Sequence, residues 1–175
     1  MKHGLDFDKF NFPKIFSAVV ATESLKRSQT RPLRSEIQEI AIAKYSGDQL
    51  GYCGDTEYGR DFFGKNNEMF YESKAMDGLF QKRTGKTAPI TLKNFRGKCL
   101  GLPEKTFDYM ILWDTKTMTV GVASWDACIK NLKIKDAVIE IRVDQSDIEF
   151  IARNVEPAPS EDFAVKLARL IEETI

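Results

Sequence analysis

An aspartate and a Glu-x-Lys tripeptide lie on either side of a turn-like segment in the chain. Asp61 begins a short apolar strand, and Glu72 and Lys74 follow the turn at 64–67. Strand side chains alternate, so Glu72 and Lys74 share a face, and a hairpin brings Asp61 close to Glu72. Two adjacent carboxylates repel each other and favour Mg²⁺ or Mn²⁺ between them. Lys74 would then orient an attacking water or stabilise a phosphate, which predicts phosphodiester hydrolysis.

A preceding helix and two hairpin strands must position these groups. Strands are predicted at 61–63 and 68–76. A helix is predicted at 35–45, with Ser35 as its N-cap and Gly47 at its end, after a chain break at Arg31-Pro32. The remaining predicted elements are a helix from Pro13, strands at 90–92, 109–113, 119–125 and 137–143, and a final amphipathic helix at about 160–175.

This arrangement resembles the PD-(D/E)xK nuclease superfamily, and most of all small type II restriction endonucleases. The residues that carry the resemblance are Asp61, Glu72 and Lys74, on two hairpin strands after an acidic helix, within residues 35–76. The segment Gly59-Arg60-Asp61 lacks the proline of the nominal motif, a residue that is often absent in the family. The resemblance implies Asp61 and Glu72 as metal ligands and Glu39, with Glu36 second, as a further carboxylate.

The fold expected from this resemblance is a single α/β domain with a central mixed β-sheet flanked by helices. It divides residues 1–175 into an N-terminal helical region (1–34), a catalytic core (35–150) with a basic loop (77–107), and a C-terminal helix (160–175). The function it implies is Mg²⁺-dependent cleavage of double-stranded DNA at a short specific site. A homodimer is also implied, because a two-fold protein matches a palindromic site.

Charge is distributed unevenly, although 26 Lys and Arg balance 26 Asp and Glu. Six basic residues and no acid fall between positions 82 and 98. Such a strip supplies phosphate contacts, and Arg, Lys and Asn suit base edges, although a solvated polar loop is the plain alternative. The candidate DNA-binding residues are Lys82, Arg83, Lys86, Lys93, Asn94 and Arg96.

Several classes of protein are excluded by residues that the sequence does not contain. His3 is the single histidine and is expected in a mobile terminus, which excludes Ser-His-Asp hydrolases and zinc proteases. The three cysteines form no CxxC pair and are expected as free thiols. No phosphate-binding glycine motif, signal peptide or long apolar run is present. We therefore expect no nucleotide cofactor, no membrane partner and a cytoplasmic location.

Other interpretations of the same residues remain open. Glu72 and Lys74 can form an exposed ion pair with no chemistry. Asp114 and Lys116, with Asp108 upstream, make a second match, but they occupy a turn between two strands. The functional alternatives are a repair or recombination nuclease that reads DNA structure, a non-catalytic DNA-binding protein, and, less favoured, a small-molecule enzyme that uses the carboxylates as acid and base.

Overall fold

The described part of the chain contains three α-helices, eleven β-strands and two 3-10 helices, at Phe7–Lys9 and Gln145–Asp147. A computed structural model describes residues 2–23, 27–54, 60–80, 82–83, 86–87, 90–92, 105–135 and 138–159. The helices are α1 (Phe12–Glu23), α2 (Arg27–Lys44) and α3 (Trp125–Ile129). The strands are β1 (Leu50–Tyr52), β2 (Phe62–Gly64), β3 (Phe70–Met76), β4 (Lys82–Arg83), β5 (Lys86–Thr87), β6 (Ile90–Leu92), β7 (Tyr109–Asp114), β8 (Thr119–Ser124), β9 (Lys133–Lys135), β10 (Val138–Val143) and β11 (Glu149–Ala152).

Six of these strands form one mixed sheet in the order β1-β2-β3-β7-β8-β11. β3 and β7 run parallel to each other, and the other neighbouring pairs in this sheet are antiparallel. The other described strands form a three-stranded sheet, β6-β10-β9, and the two-stranded pair β4-β5. The prediction of a single α/β domain built on a mixed sheet is therefore confirmed.

Strand β7 is buried on both faces, as its continuous apolar sequence requires. Ile111 and Trp113 enter one apolar cluster, which includes buried residues of α1. Met110 and Leu112, which alternate with them, enter a second cluster that contains Cys128 of α3. The mixed sheet thus has an apolar layer on each face, and this holds β3, the neighbour of β7, in a fixed position.

Helix α2 is longer than its sequence pattern predicts. It runs from Arg27 to Lys44, so the expected break at Arg31-Pro32 and the N-cap role of Ser35 are both wrong. Pro32 is the sixth residue of α2, where a proline removes one backbone hydrogen bond, and the helix continues through this position. The predicted end is correct, because Gly47 follows with φ +65°. The helix also crosses position 34, the expected end of the N-terminal region.

The longer predicted elements agree with the structure, whereas several short ones were not predicted. The helix at Pro13, both hairpins and the strands β6 and β10 are confirmed. The segment 77–107, expected as a loop around one strand, also contains the short pair β4-β5. The sequence pattern does not predict α3, β1, β9 or β11, because elements of three to five residues show too little periodicity. The predicted C-terminal helix lies outside the described residues.

The expectation that His3 lies in a mobile terminus is wrong. The His3 side chain is buried, with a relative exposure of 3%. The Leu5 amide donates a hydrogen bond to its Nδ1 at 3.2 Å, and the Tyr71 hydroxyl donates to its carbonyl oxygen at 2.6 Å. The apolar side chains of Leu5 and Phe7 enter the core just after it, and they hold this segment against β3.

Membrane insertion finds no support among the helices of the described residues. None of them combines the length and the apolar character that crossing a bilayer requires.

Candidate active site

The hairpin of β2 and β3 places Asp61 beside Glu72. Phe62 pairs with Tyr71, and the Asp61 amide donates to the Tyr71 carbonyl oxygen at 2.9 Å, which extends the pairing by one residue. The Ser73 amide in turn donates to Asp61 Oδ2 at 2.8 Å. This bond fixes the Asp61 carboxylate against the backbone of β3, immediately after Glu72. The predicted approach of the two acids across the hairpin is therefore present.

Glu72 and Lys74 lie on the same face of β3 and contact each other. Lys74 Nζ is 3.5 Å from Glu72 Oε1. The Glu72 side chain is only 10% exposed, whereas that of Lys74 is 43% exposed. An exposed surface ion pair does not describe this geometry, because the carboxylate is buried and only the ammonium group reaches solvent.

Ser73 points to the opposite face and fixes the strand there. Trp113 Nε1 donates to Ser73 Oγ at 3.0 Å, and Trp113 itself is completely buried. β3 and β7 are in parallel register at this point, with Ser73 opposite Ile111. The strand that carries Glu72 and Lys74 is therefore held from behind by a buried hydrogen bond and by a neighbouring core strand.

Helix α2 contributes a third carboxylate, that of Glu39. The side chains of Glu39 and Asp61 share a hydrogen bond, and the charges of Glu72 and Lys74 also act on Glu39. Burial is the largest cause that raises the pKa of Glu39, to about 9, and Asp61 contributes next. Ile40 and Ala41, the next residues of α2, are buried and hold this part of the helix in place. The structure thus brings Glu39, the preferred helix acid, to the pair on the hairpin.

The carboxyl groups of the site make negative charge on one another less favourable. Burial raises the pKa of Glu72 to about 8, the charge of Asp61 adds to this, and Lys74 opposes it. Within the described ranges, no group of three or more His, Cys, Asp or Glu side chains is placed so that it could hold a metal ion. Mg²⁺ does not need such a group, because it binds through one or two carboxylates together with water and phosphate oxygens.

The competing match at Asp114 has a structural role. Asp114 is completely buried at the end of β7. Its carboxylate accepts backbone N–H bonds from Gly78 and Phe80 at 3.0 Å and from Lys116 at 2.9 Å. Burial alone would raise the pKa of Asp114, but these hydrogen bonds lower it below its usual value. Lys116 is exposed, so this acid and this lysine do not form a shared site.

Two neighbours of the site were not predicted from the sequence. Cys128 of α3 is buried, and burial and the charge of Glu72 raise the pKa of its thiol to about 12. The Arg60 guanidinium lies over the Phe70 ring, 3.9 Å from its centroid. The only sequence signals for the second contact are an arginine immediately before Asp61 and an aromatic residue two positions before Glu72. Neither Cys53 nor Cys128 forms a disulfide, as expected.

The candidate DNA-binding residues fall largely beyond what the structure describes. Lys82 and Arg83 form β4, and Lys86 begins β5, so their backbone is extended. The positions of Lys93, Asn94 and Arg96 lie outside the described residues. The predicted DNA surface therefore stays a prediction.

Comparison of the chain with protein-family models, curated proteins and solved structures finds no match. The resemblance to PD-(D/E)xK nucleases accordingly depends on the site residues and their arrangement.

Proposed function

We propose that the chain is a Mg²⁺-dependent endonuclease that cleaves double-stranded DNA at a short specific site, in the manner of a type II restriction enzyme. The observation that carries this proposal is the convergence of three acids from separate elements. Glu39 of α2, Asp61 before β2 and Glu72 of β3 interact with one another, and Lys74 lies 3.5 Å from Glu72. These residues are widely separated in sequence, so their convergence is a property of the fold.

A divalent cation fits the chemistry of these donors. The ligands are carboxylate oxygens, which hard cations such as Mg²⁺ and Mn²⁺ prefer. Burial and mutual repulsion hold protons on Glu39 and Glu72, and a cation would replace those protons. Asp61 and Glu72 would be the ligands. A bound ion would neutralise phosphate charge and lower the pKa of a bound water.

The remaining groups have distinct roles in the proposed hydrolysis. The Lys74 ammonium reaches solvent beside Glu72, where it would orient the attacking water or stabilise charge on the phosphate. Glu39 would complete the acidic group from the helix side. The water oxygen bonds to phosphorus while the bond from phosphorus to the leaving sugar oxygen breaks, and that oxygen takes up a proton. One water is consumed for each bond cut, and no nucleotide cofactor is needed.

Basic residues and a second subunit complete the proposal. The candidate contacts to the DNA backbone and bases are Lys82, Arg83, Lys86, Lys93, Asn94 and Arg96. A homodimer would place one site on each strand of a palindromic sequence.

Plasmid digestion with Mg²⁺ tests the proposal. Wild type should give discrete fragments, and Glu72→Gln and Lys74→Ala should give none. Glu156→Gln and Lys116→Ala are the matched controls, because both side chains are exposed and lie outside the site. Full activity in Glu72→Gln or Lys74→Ala would refute the assigned site.

The form of the digestion products separates the alternatives. A nuclease that reads DNA structure would leave an ordinary plasmid uncut and would cleave junctions or flaps. A non-catalytic DNA-binding protein would bind DNA in Ca²⁺ or EDTA and would cleave nothing in Mg²⁺.

A further inference from the structure

An aromatic pair lies next to the carboxylates on the same face of the hairpin. Phe63 is two residues after Asp61, and Phe70 is two residues before Glu72, so alternation places all four on one face. Phe63 and Phe70 are partners across the hairpin. The aromatic pair is thus about 7 Å from the acidic pair, since two strand residues rise by about that distance.

The Phe63 ring is exposed in a position where apolar side chains are usually covered. It is 41% exposed, while its neighbour Phe62 is completely buried. The ring lies directly over Gly51 of β1, where any side chain on that residue would collide with Phe63 Cζ. The glycine therefore lets the ring lie flat against the sheet and present its other face to solvent.

A cavity of about 500 Å³ opens beside this ring. Its walls combine the apolar and aromatic side chains of Tyr52, Cys53, Phe63, Met69 and Phe70 with the polar side chains of Asn67 and Glu68. The Arg60 guanidinium stacks on the Phe70 ring at 3.9 Å, so a cation immediately before Asp61 in the chain lies against an aromatic residue of the cavity wall. A flat apolar wall next to a cation is the combination that binds a nucleobase and its phosphate.

We infer that the exposed Phe63 ring, beside the stacked Arg60 and Phe70 side chains, is a stacking platform for an unstacked nucleobase of the strand that is bound at the carboxylates. This inference rests on the proposed function, because it assumes that a phosphodiester lies at Asp61 and Glu72. A nucleobase is joined through its sugar to the neighbouring phosphate, and the platform lies about 7 Å from the carboxylates along the same two β-strands. Stacking tolerates any base, so the platform contributes affinity and holds the strand in place without reading sequence.

Binding of a short single-stranded oligonucleotide with one 2-aminopurine tests the inference. Ca²⁺ replaces Mg²⁺, so that no cleavage occurs, and full-length wild type is compared with Phe63→Leu and Phe63→Trp. Wild type and Phe63→Trp should bind the probe and quench its fluorescence. Phe63→Leu keeps the apolar bulk but has no aromatic face, so it should bind at least about fivefold more weakly and lose the quenching. Unchanged affinity and quenching in a folded Phe63→Leu would overturn the inference.

The outcomes for the platform and for the proposed function can be told apart. If wild type cleaves plasmid and Phe63→Leu binds the probe as wild type does, the platform is wrong and the function stands. If wild type binds and quenches the probe through Phe63 but cleaves no DNA, the platform stands and the function is wrong. If Phe63→Leu changes self-association in light scattering and leaves probe binding intact, the cavity holds a second copy of the chain, and the inference fails.

Discussion

The backbone amide of Ser73 donates a hydrogen bond to Asp61 Oδ2 at 2.8 Å. This bond joins the residue between Glu72 and Lys74 to the acid on the opposite strand. Because Ser73 is also held by Trp113 at 3.0 Å, the position of Asp61 is fixed by the core of the sheet. The acidic pair is therefore part of the rigid sheet, as a site that binds a cation in a defined geometry requires.

Replacement of the Glu72 carboxyl group by an amide should stabilise the metal-free protein at neutral pH. Burial and the charge of Asp61 raise the pKa of Glu72 to about 8, so folding at neutral pH requires this carboxyl group to take up a proton, whereas Glu72→Gln keeps the shape of the side chain and needs none. We expect the melting temperature to rise by a few degrees, since each kcal/mol shifts it by about 2–4 °C in a protein of this size. Thermal unfolding in EDTA measures this shift. Glu68→Gln, an exposed change on the same hairpin, should leave the melting temperature unchanged, and a fall in Glu72→Gln would contradict the raised pKa of Glu72.

Divalent cations should stabilise the folded protein through the same carboxylates. A ligand that binds only the folded state adds about 2.7 kcal/mol at a hundredfold excess over its Kd. The melting temperature of wild type should therefore rise on titration with Mg²⁺ or Ca²⁺. Asp61→Asn should show a much smaller rise, whereas Asp48→Asn, an exposed control, should behave as wild type. Equal shifts in all three proteins would place cation binding elsewhere.

His3 should make the folded protein sensitive to mild acid. Burial lowers the pKa of His3 below 6.5, which outweighs the opposing charge of Glu149. The folded state then binds fewer protons than the unfolded state, so the stability from neutral His3 is full above about pH 6.5 and is lost as the pH falls through the lowered value. Urea unfolding of wild type between pH 7 and 5 should show this loss. His3→Asn, which does not titrate, should flatten that part of the profile, and an unchanged slope would contradict the assignment.

Asp114 should support the fold without acting in the chemistry. Its carboxylate accepts N–H bonds from Gly78, Phe80 and Lys116. Asp114→Asn replaces one acceptor oxygen with a donor and leaves a buried N–H unpaired, which should lower the free energy of unfolding by about 2–3 kcal/mol. Denaturant unfolding measures this loss, with Lys116→Ala as an exposed control. If folded Asp114→Asn protein no longer cleaves DNA in Mg²⁺, Asp114 belongs to the active site and the prediction is wrong.

Local pattern was enough to predict the hairpin, while tertiary packing decided what the pattern left open. Alternation and turn residues predicted that Glu72 and Lys74 share a face and that Asp61 approaches them. The burial of Glu72 was not predictable, because it depends on contacts from elements such as α3, which is too short to show a periodic signal. The same holds for His3, whose burial depends on β3, far along the chain. At Pro32 a local rule favoured a break, yet α2 continues through it.

The measurement that tests the account most directly compares DNA cleavage with DNA binding in wild type and Glu72→Gln. Cleavage of plasmid is followed in Mg²⁺, and binding of the same DNA is followed in Ca²⁺. Wild type should do both, and Glu72→Gln should bind DNA with similar affinity while cleavage falls at least about a hundredfold, equivalent to about 3 kcal/mol of transition-state stabilisation. Cleavage by Glu72→Gln at the wild-type rate, or binding without any cleavage by wild type, would contradict the proposed nuclease.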